Sequence, residues 1–324
     1  NTCTNYNSAV DFTDTDSMPI LSSNRGTRIR LYKITGRGLV EMVSEQDIHG
    51  NFQAVRAVNG QAHVVTSSHM DIYTHLLNPI SVYNVQAEAD EGYLETATRI
   101  ATDKIPAFVS KLVTELSDVT GSMPNLFRVR LMQTDATKDV ESILSENDYL
   151  NSVVLVNSFD MTSDDTEIQF VSSGAMLPSS WVQVYSSLDT IILASTIYEN
   201  DPMARLSTQS THLMGIALDG ASSSPKSIGT VEGSILNPRS VDVVGNVLRV
   251  ATTVREQTFW VFDDFAEDIL ESEEPARDDE QVEEEEVDRT QNFIVTLDLD
   301  APDGTMNELD RLDLGKPNEV FTAV

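Results

Sequence analysis

Internal repetition constrains this chain more than any other feature. Three 15-residue stretches align without gaps: QAVRAVNGQAHVVTS (53–67), VQVYSSLDTIILAST (182–196) and RSVDVVGNVLRVATT (239–253). Each holds a short alternating strand, a turn near its middle, and an apolar strand ending in Ser or Thr. The turns carry Asn59-Gly60, Leu188-Asp189 and Gly245-Asn246. Asn, Asp and Gly tolerate the backbone of a tight hairpin. The apolar second strands, around Val64, Ile192 and Leu248, read as buried sheet.

A second unit follows each first one: SVVLVNSFDMTSDDTEIQFVSSG (152–174), THLMGIALDGASSSPKSIGTVEG (211–233) and NFIVTLDLDAPDGTMNELDRLDLG (292–315). Each is a strand reaching Phe159-Asp160, Leu218-Asp219 or Leu299-Asp300, then a polar turn, then another strand. Two units make four antiparallel strands. Repeated along a chain, such units predict an all-β fold, a β-propeller of four-stranded antiparallel blades. One blade cannot bury both faces alone; neighbours cover them.

Spacing locates the insertions. The second and third units start 57 residues apart, whereas the first and second start 129 apart. The first blade therefore carries an insertion at about 68–150. Within it, 89–119 has helical spacing. Leu94, Ala97 and Ile100 mark one face; Ile105, Phe108, Val109, Leu112 and Leu116 mark another. Pro106 suits the first turn of a second helix, with Asp103 as its N-cap. The expectation is a pair of helices. The segments 28–34 and 39–48 read as the closing half of a blade, and 315–324 as the lead-in to another. The chain thus divides into an N-terminal extended segment (1–27) and a propeller segment (28–324), incomplete as a ring. An open ring exposes sheet edges and apolar blade faces.

Charge narrows the partners. Lys and Arg total 21 against 52 Asp and Glu, a net of −31. Such a chain repels nucleic acid and anionic membranes. No apolar run approaches the ~20 residues of a membrane span, so membrane insertion is not expected. The surface suits a saline medium, where screening removes self-repulsion, or serves solubility. Residues 266–289, the heart of an acidic loop at about 264–291, hold 13 acids against two arginines. This block reads as a solvated spacer that could dock on a basic partner or hold divalent cations loosely. Cys3 is the only cysteine, so no disulfide forms within the chain.

The combination GSILNPRSVDVVGNVLRVATT, VTLDLDAPDG and RIRLYKITGRGLVEMVSEQDIHGNFQAVRAVNGQAHVVTS resembles the secreted proteins with a C-terminal β-propeller domain distantly related to WD40 repeats. The insertion ending IPAFVSKLVTEL is similar too. The resemblance covers most of 28–324. It implies a propeller fold and an extracytoplasmic, secreted or cell-surface location. It brings no catalytic signature and implies no substrate.

Candidate chemistry is sparse. The run Asp298-Leu-Asp300-Ala-Pro-Asp303-Gly304 is similar to a calcium loop, with oxygens on a tight turn and Gly at the bend. Its third acid falls one residue late and no closing Glu follows, so a plain hairpin turn is the competing reading. Asp11, Asp14 and Asp16 form a comparable cluster. Of five histidines, His63, His69 and His75 are six apart, which fits no zinc spacing; His49 and His212 stand alone. No hydrolase elbow, phosphate loop or dinucleotide fingerprint occurs. Trp181 and Trp260 fall at strand ends, where packing between blades is expected ahead of a place lining a loop face. These observations predict a binding or scaffold module recognising a protein or glycan, without an evident catalytic site. The alternatives are a surface or filament component that self-assembles through open blade edges, and a propeller-type enzyme using channel-facing acids.

Overall fold

The computed structural model describes residues 19–22, 26–34, 38–77, 93–120, 125–126, 152–162, 168–179, 181–201, 206–258 and 289–315. The Cys3, Asp11, Asp14, Asp16 and Trp260 positions, the acidic block up to 288 and the lead-in after 315 lie outside the described residues.

Twelve strands form three four-stranded antiparallel units. The first is β4 (Asn51–Val58), β5 (Gln61–Met70), β7 (Ser152–Asp160) and β8 (Val171–Leu177). The second is β9 (Gln183–Ser186), β10 (Thr190–Asp201), β11 (Leu206–Asp219) and β12 (Ser222–Glu232). The third is β13 (Val241–Val244), β14 (Val247–Thr258), β15 (Arg289–Asp298) and β16 (Asn307–Asp313). We call them blades A, B and C. They coincide with the repeats. The partial blade before them is a separate two-stranded sheet, β2 (Thr27–Ile34) with β3 (Val40–Ile48). Two short pieces flank blade A: β1 (Leu21–Ser22) pairs with β5, and β6 (Asn125–Leu126) pairs with β8 in parallel. Blades B and C join at one corner, where Leu206 and Ser207 pair with Thr258 and Gln257.

The pleat sends alternate residues of each strand to opposite faces. Between blades A and B lie Val65, Val154, Val156 and Ala175 against Ile191, Leu193, Met214 and Ile216. Between B and C lie Ile192, Leu213 and Val231 against Val241, Leu248, Val250, Val295 and Leu297. Each of these two blade interfaces thus has an apolar layer, mostly of β-branched and leucine side chains. Burying each such side chain contributes about 1.5–3 kcal/mol.

The other face of blade A has two covers. The β2–β3 sheet, through Ile29 and Ile48, closes over Ala62, Val64 and Phe159. The helix α1 (Tyr93–Thr120), with Ile20 and Leu21, closes over Met70, Val153, Leu155 and Met176. Asn157 sits on this face, with its amide toward the Val64 carbonyl and the Thr66 hydroxyl, and accepts from Ser172. The α1 helix therefore packs against the blade it interrupts. It covers apolar surface that an open ring would expose.

The expected pair of helices is one helix of 28 residues running straight through Pro106. Asp103 is therefore not an N-cap; it lies exposed inside the helix. A proline within a helix removes one hydrogen bond and crowds the carbonyl four residues back. Here both Pro106 and Thr102 face solvent, where water can satisfy the freed carbonyl. Leu112 and Leu116 on the opposite face are buried and hold the helix down. Packing of that face overrides the local breaker. The Leu94 and Ala97 side chains lie outside the described residues.

Candidate functional site

One backbone bond recurs in all three blades. Met161 N–H donates to the Gly60 carbonyl at 2.8 Å, Leu218 N–H to Asp189 at 2.8 Å, and Leu299 N–H to Asn246 at 2.9 Å. Each ties the turn between strands one and two to the start of the turn between strands three and four. Asn59 and Gly60 both have positive φ, as a two-residue hairpin of primed type requires. This end of the stack is locked and plain. The connections between strands two and three all leave from the opposite end. They comprise 71–151 in blade A, 202–205 in blade B and 259–288 in blade C. The helical insertion and the acidic block are therefore attached to the same end.

Blades B and C are pinned at two places. Ile228 N–H donates to Gly304 O at 2.9 Å and Met306 N–H to Ile228 O at 2.7 Å. At the crossover, Ser234 and Thr253 exchange both backbone bonds at 2.9 Å. Gly233, with φ +86°, fits there because a Cβ would meet Thr253 O at 2.6 Å. Arg311 sits between the blades. It binds Glu308 and Glu232 and lies 5.3 Å from the Phe293 ring centroid. These carboxylates hold its guanidinium pKa above the usual value.

The three candidate calcium ligands form a compact turn but point to different partners. Asp298 Oδ1 accepts from Asp300 N–H at 2.9 Å, and Asp303 Oδ1 from Thr305 N–H at 3.0 Å. Asp300 pairs with Lys226 Nζ at 2.7 Å. The turn's electrostatics are thus supplied by two N–H groups and an ammonium. Among the described residues, no group of three or more His, Cys, Asp and Glu is gathered to hold a metal ion.

The histidines fall in separate places. His63 is buried on β5, and its Nδ1 lies 2.9 Å from Ser158 Oγ. Ser158 donates to Ser223 at 3.0 Å, and Ser223 lies 2.6 Å from Ser173. This chain of hydroxyls crosses from blade A to blade B. Burial pushes the His63 pKa down. Ser158 and Ser173 are sealed from solvent, so the pairing fastens blades and offers no nucleophile to a substrate. His49 and His75 lie beside α1 instead. His69 is on an exposed position of β5. Trp181 is almost fully exposed, contrary to its expected packing between blades. It precedes β9, where none of the described residues covers it.

Sequence reasoning missed the serine chain, Arg311 and Glu115. The serines alternate with apolar residues in SVVLVNSF, which identifies a shared face but not a partner strand. Glu115 occupies a helix position one residue from buried Leu116, which marks it as near the core only once the helix's docking is known.

A β-propeller is thus defined by the repeated four-stranded blades, their apolar interfaces and their common orientation. The family model for the beta propeller domain matches residues 2–324, and the chain belongs to that family. No curated protein matches it.

Proposed function

We propose that this chain is an extracytoplasmic binding or scaffold module, related distantly to WD40 propellers, that recognises a protein or glycan. The observation that carries the reading is the asymmetry of the stack. One end is locked by the recurring turn-to-turn bond, and the other collects the long connections. Ligand recognition in repeat folds sits where connections vary while the sheets hold them in place. The acidic block at this end favours a basic or cation-bridged partner. The sequence resemblance and the single cysteine are compatible with a location outside the cytoplasm.

The test is a binding screen on immobilised glycans and basic peptides. The wild-type chain is compared with a variant whose residues 264–288 are replaced by a short Gly-Ser linker. Binding that falls on loop replacement, with the thermal transition unchanged, supports the reading. Binding indifferent to the loop, or turnover of a bound ligand, refutes it. Surface accessibility on intact cells, read by protease shaving, tests the location.

A second reading, a surface or filament component, is favoured by β16. All seven of its residues are exposed and it ends its sheet among the described residues. Sedimentation that shows only monomer at high concentration and high salt would remove it.

A further inference from the structure

The cover over blade A contains a polar arrangement that the binding reading does not use. Glu115 of α1 accepts three backbone bonds from the segment before β1. Ile20 N–H reaches both carboxylate oxygens at 2.9 Å, and Leu21 N–H reaches Oε2 at 2.8 Å. Ile20, Leu21, Leu112 and Leu116 are buried below. Two histidines lie within electrostatic reach of Glu115. His75 is buried, its ring centroid 6.3 Å from that of Phe108 on α1, and it bonds to the Pro19 carbonyl. His49 follows β3. Among the described residues, the buried Nε2 atoms of both have no hydrogen-bond partner. An orphaned imidazole nitrogen is tolerable when neutral but not when it gains a proton and a charge.

We infer that α1 and residues 19–22 form an acid-released strap: protonation of His49 and His75 undocks them from blade A and uncovers Met70, Val153, Leu155 and Met176. The groups facing these histidines come from every element around them. On α1, Lys111 opposes a charge on His75, and Glu115 favours a charge on both. On the π-helical turn Tyr73–Leu77 and its approach, Asp71 favours a charge on His75, and so does the Pro19 carbonyl of the strap. Burial dominates for both, and each pKa lies below the ordinary imidazole value. Glu115 is already engaged by the Ile20 and Leu21 N–H groups that fasten the strap, so a direct bond to an imidazolium would compete with them. Both folded pKa values are depressed, so neutral imidazole is the docked form. The stabilisation is complete above the unfolded value of about 6.5 and is lost as pH falls through the folded values.

Hydrogen exchange read by mass spectrometry on the full chain tests this. Rates at pH 7.5 and pH 5.0 are divided by the intrinsic chemical rate at each pH. Protection of 93–120 and 19–22 is expected to fall at least tenfold at pH 5.0, while β10, β11, β14 and β15 keep theirs. In the His49→Gln/His75→Gln variant the strap's protection should no longer depend on pH. Unchanged strap protection in the wild type overturns the inference, as does simultaneous loss in all blades or a pH response that survives in the variant. Should the variant not fold, titration of the wild-type imidazoles by NMR decides. Both below 6.5 supports the strap; either at or above 6.5 refutes it.

Discussion

Replacing Gly229 with alanine should force blades B and C apart. Gly229 lies on β12, and a Cβ there would sit 2.6 Å from the Cβ of Met306, 3.3 Å from its Cγ and 3.3 Å from its carbonyl oxygen. Ordinary carbon contacts fall at about 3.5–4.0 Å, so the strands must separate by about 1 Å. The struck atom is the root of a side chain, and rotamer changes cannot move it. The bonds beside it are Ile228 N–H to Gly304 O at 2.9 Å and Met306 N–H to Ile228 O at 2.7 Å. Opened by about 1 Å, neither remains a hydrogen bond. Two lost backbone bonds cost about 1 kcal/mol each, and overpacking adds about 1–3 kcal/mol. The expected destabilisation is about 3–5 kcal/mol, read from urea unfolding followed by far-ultraviolet circular dichroism. Met306→Ala keeps the Cβ and should not relieve Gly229→Ala. Met306→Gly removes it and should recover at least about 1 kcal/mol as a coupling term in the double-mutant cycle. A Gly229→Ala protein within about 0.5 kcal/mol of wild type, the ordinary range for an unstrained surface site, would refute the claimed contact.

Leu213→Ala, in the middle of the B–C layer, should cost about 2–5 kcal/mol in the same assay; a cost under about 1 kcal/mol would mean that the layer collapses freely. Glu115→Gln should loosen residues 19–22, since a charged acceptor is lost from three N–H bonds, and hydrogen exchange at Ile20 and Leu21 should rise severalfold at pH 7.5. Buried His63 has a depressed pKa, so the stability it supports is present above about pH 6.5 and is lost as pH falls through the folded value. His63→Gln should therefore flatten part of the acid limb of the melting temperature; an unchanged limb would show that His63 is not involved. Millimolar calcium should leave the melting temperature unchanged, because Lys226 and two N–H groups already occupy the Asp298–Asp303 turn. A rise with calcium would restore those carboxylates as ligands.

The blades were legible because each strand carries its own two-residue period and each hairpin its own turn chemistry. Asn59-Gly60 specifies a hairpin whatever surrounds it, and the register from Val58↔Gln61 onward follows. The β2–β3 sheet was readable for the same reason. The helix was legible as a helix but not as one helix, because Pro106 reads locally as a start. Only burial of Leu112 and Leu116 on the far side shows that the break is tolerated. The cover over blade A was not legible, since it depends on which face an inserted segment meets. The candidate site fared similarly. Asp298, Asp300 and Asp303 are together, as spacing indicates, but Lys226 comes from another blade and no local pattern announces it. The hydroxyl chain through Ser158, Ser173 and Ser223 joins residues up to 65 positions apart, and serine carries no hydropathy signal that would mark them as partners.

The turn-to-turn bond has a consequence for how such a chain can change. At the end where Gly60, Asp189 and Asn246 each accept from the next turn, an inserted residue would displace two turns at once and break a paired backbone group. At the other end, each connection hangs between two strands already paired along their length, and extra residues cost only the slow growth of loop-closure entropy. New sequence is therefore admitted on one side of the stack and refused on the other. A designer grafting a recognition loop onto this scaffold has permissive sites after Asp201 and Thr258, both on one side, whereas the chain after Met70 is tied down by the Asp71 N–H to Ile20 O bond and by buried Ile72 and Leu76.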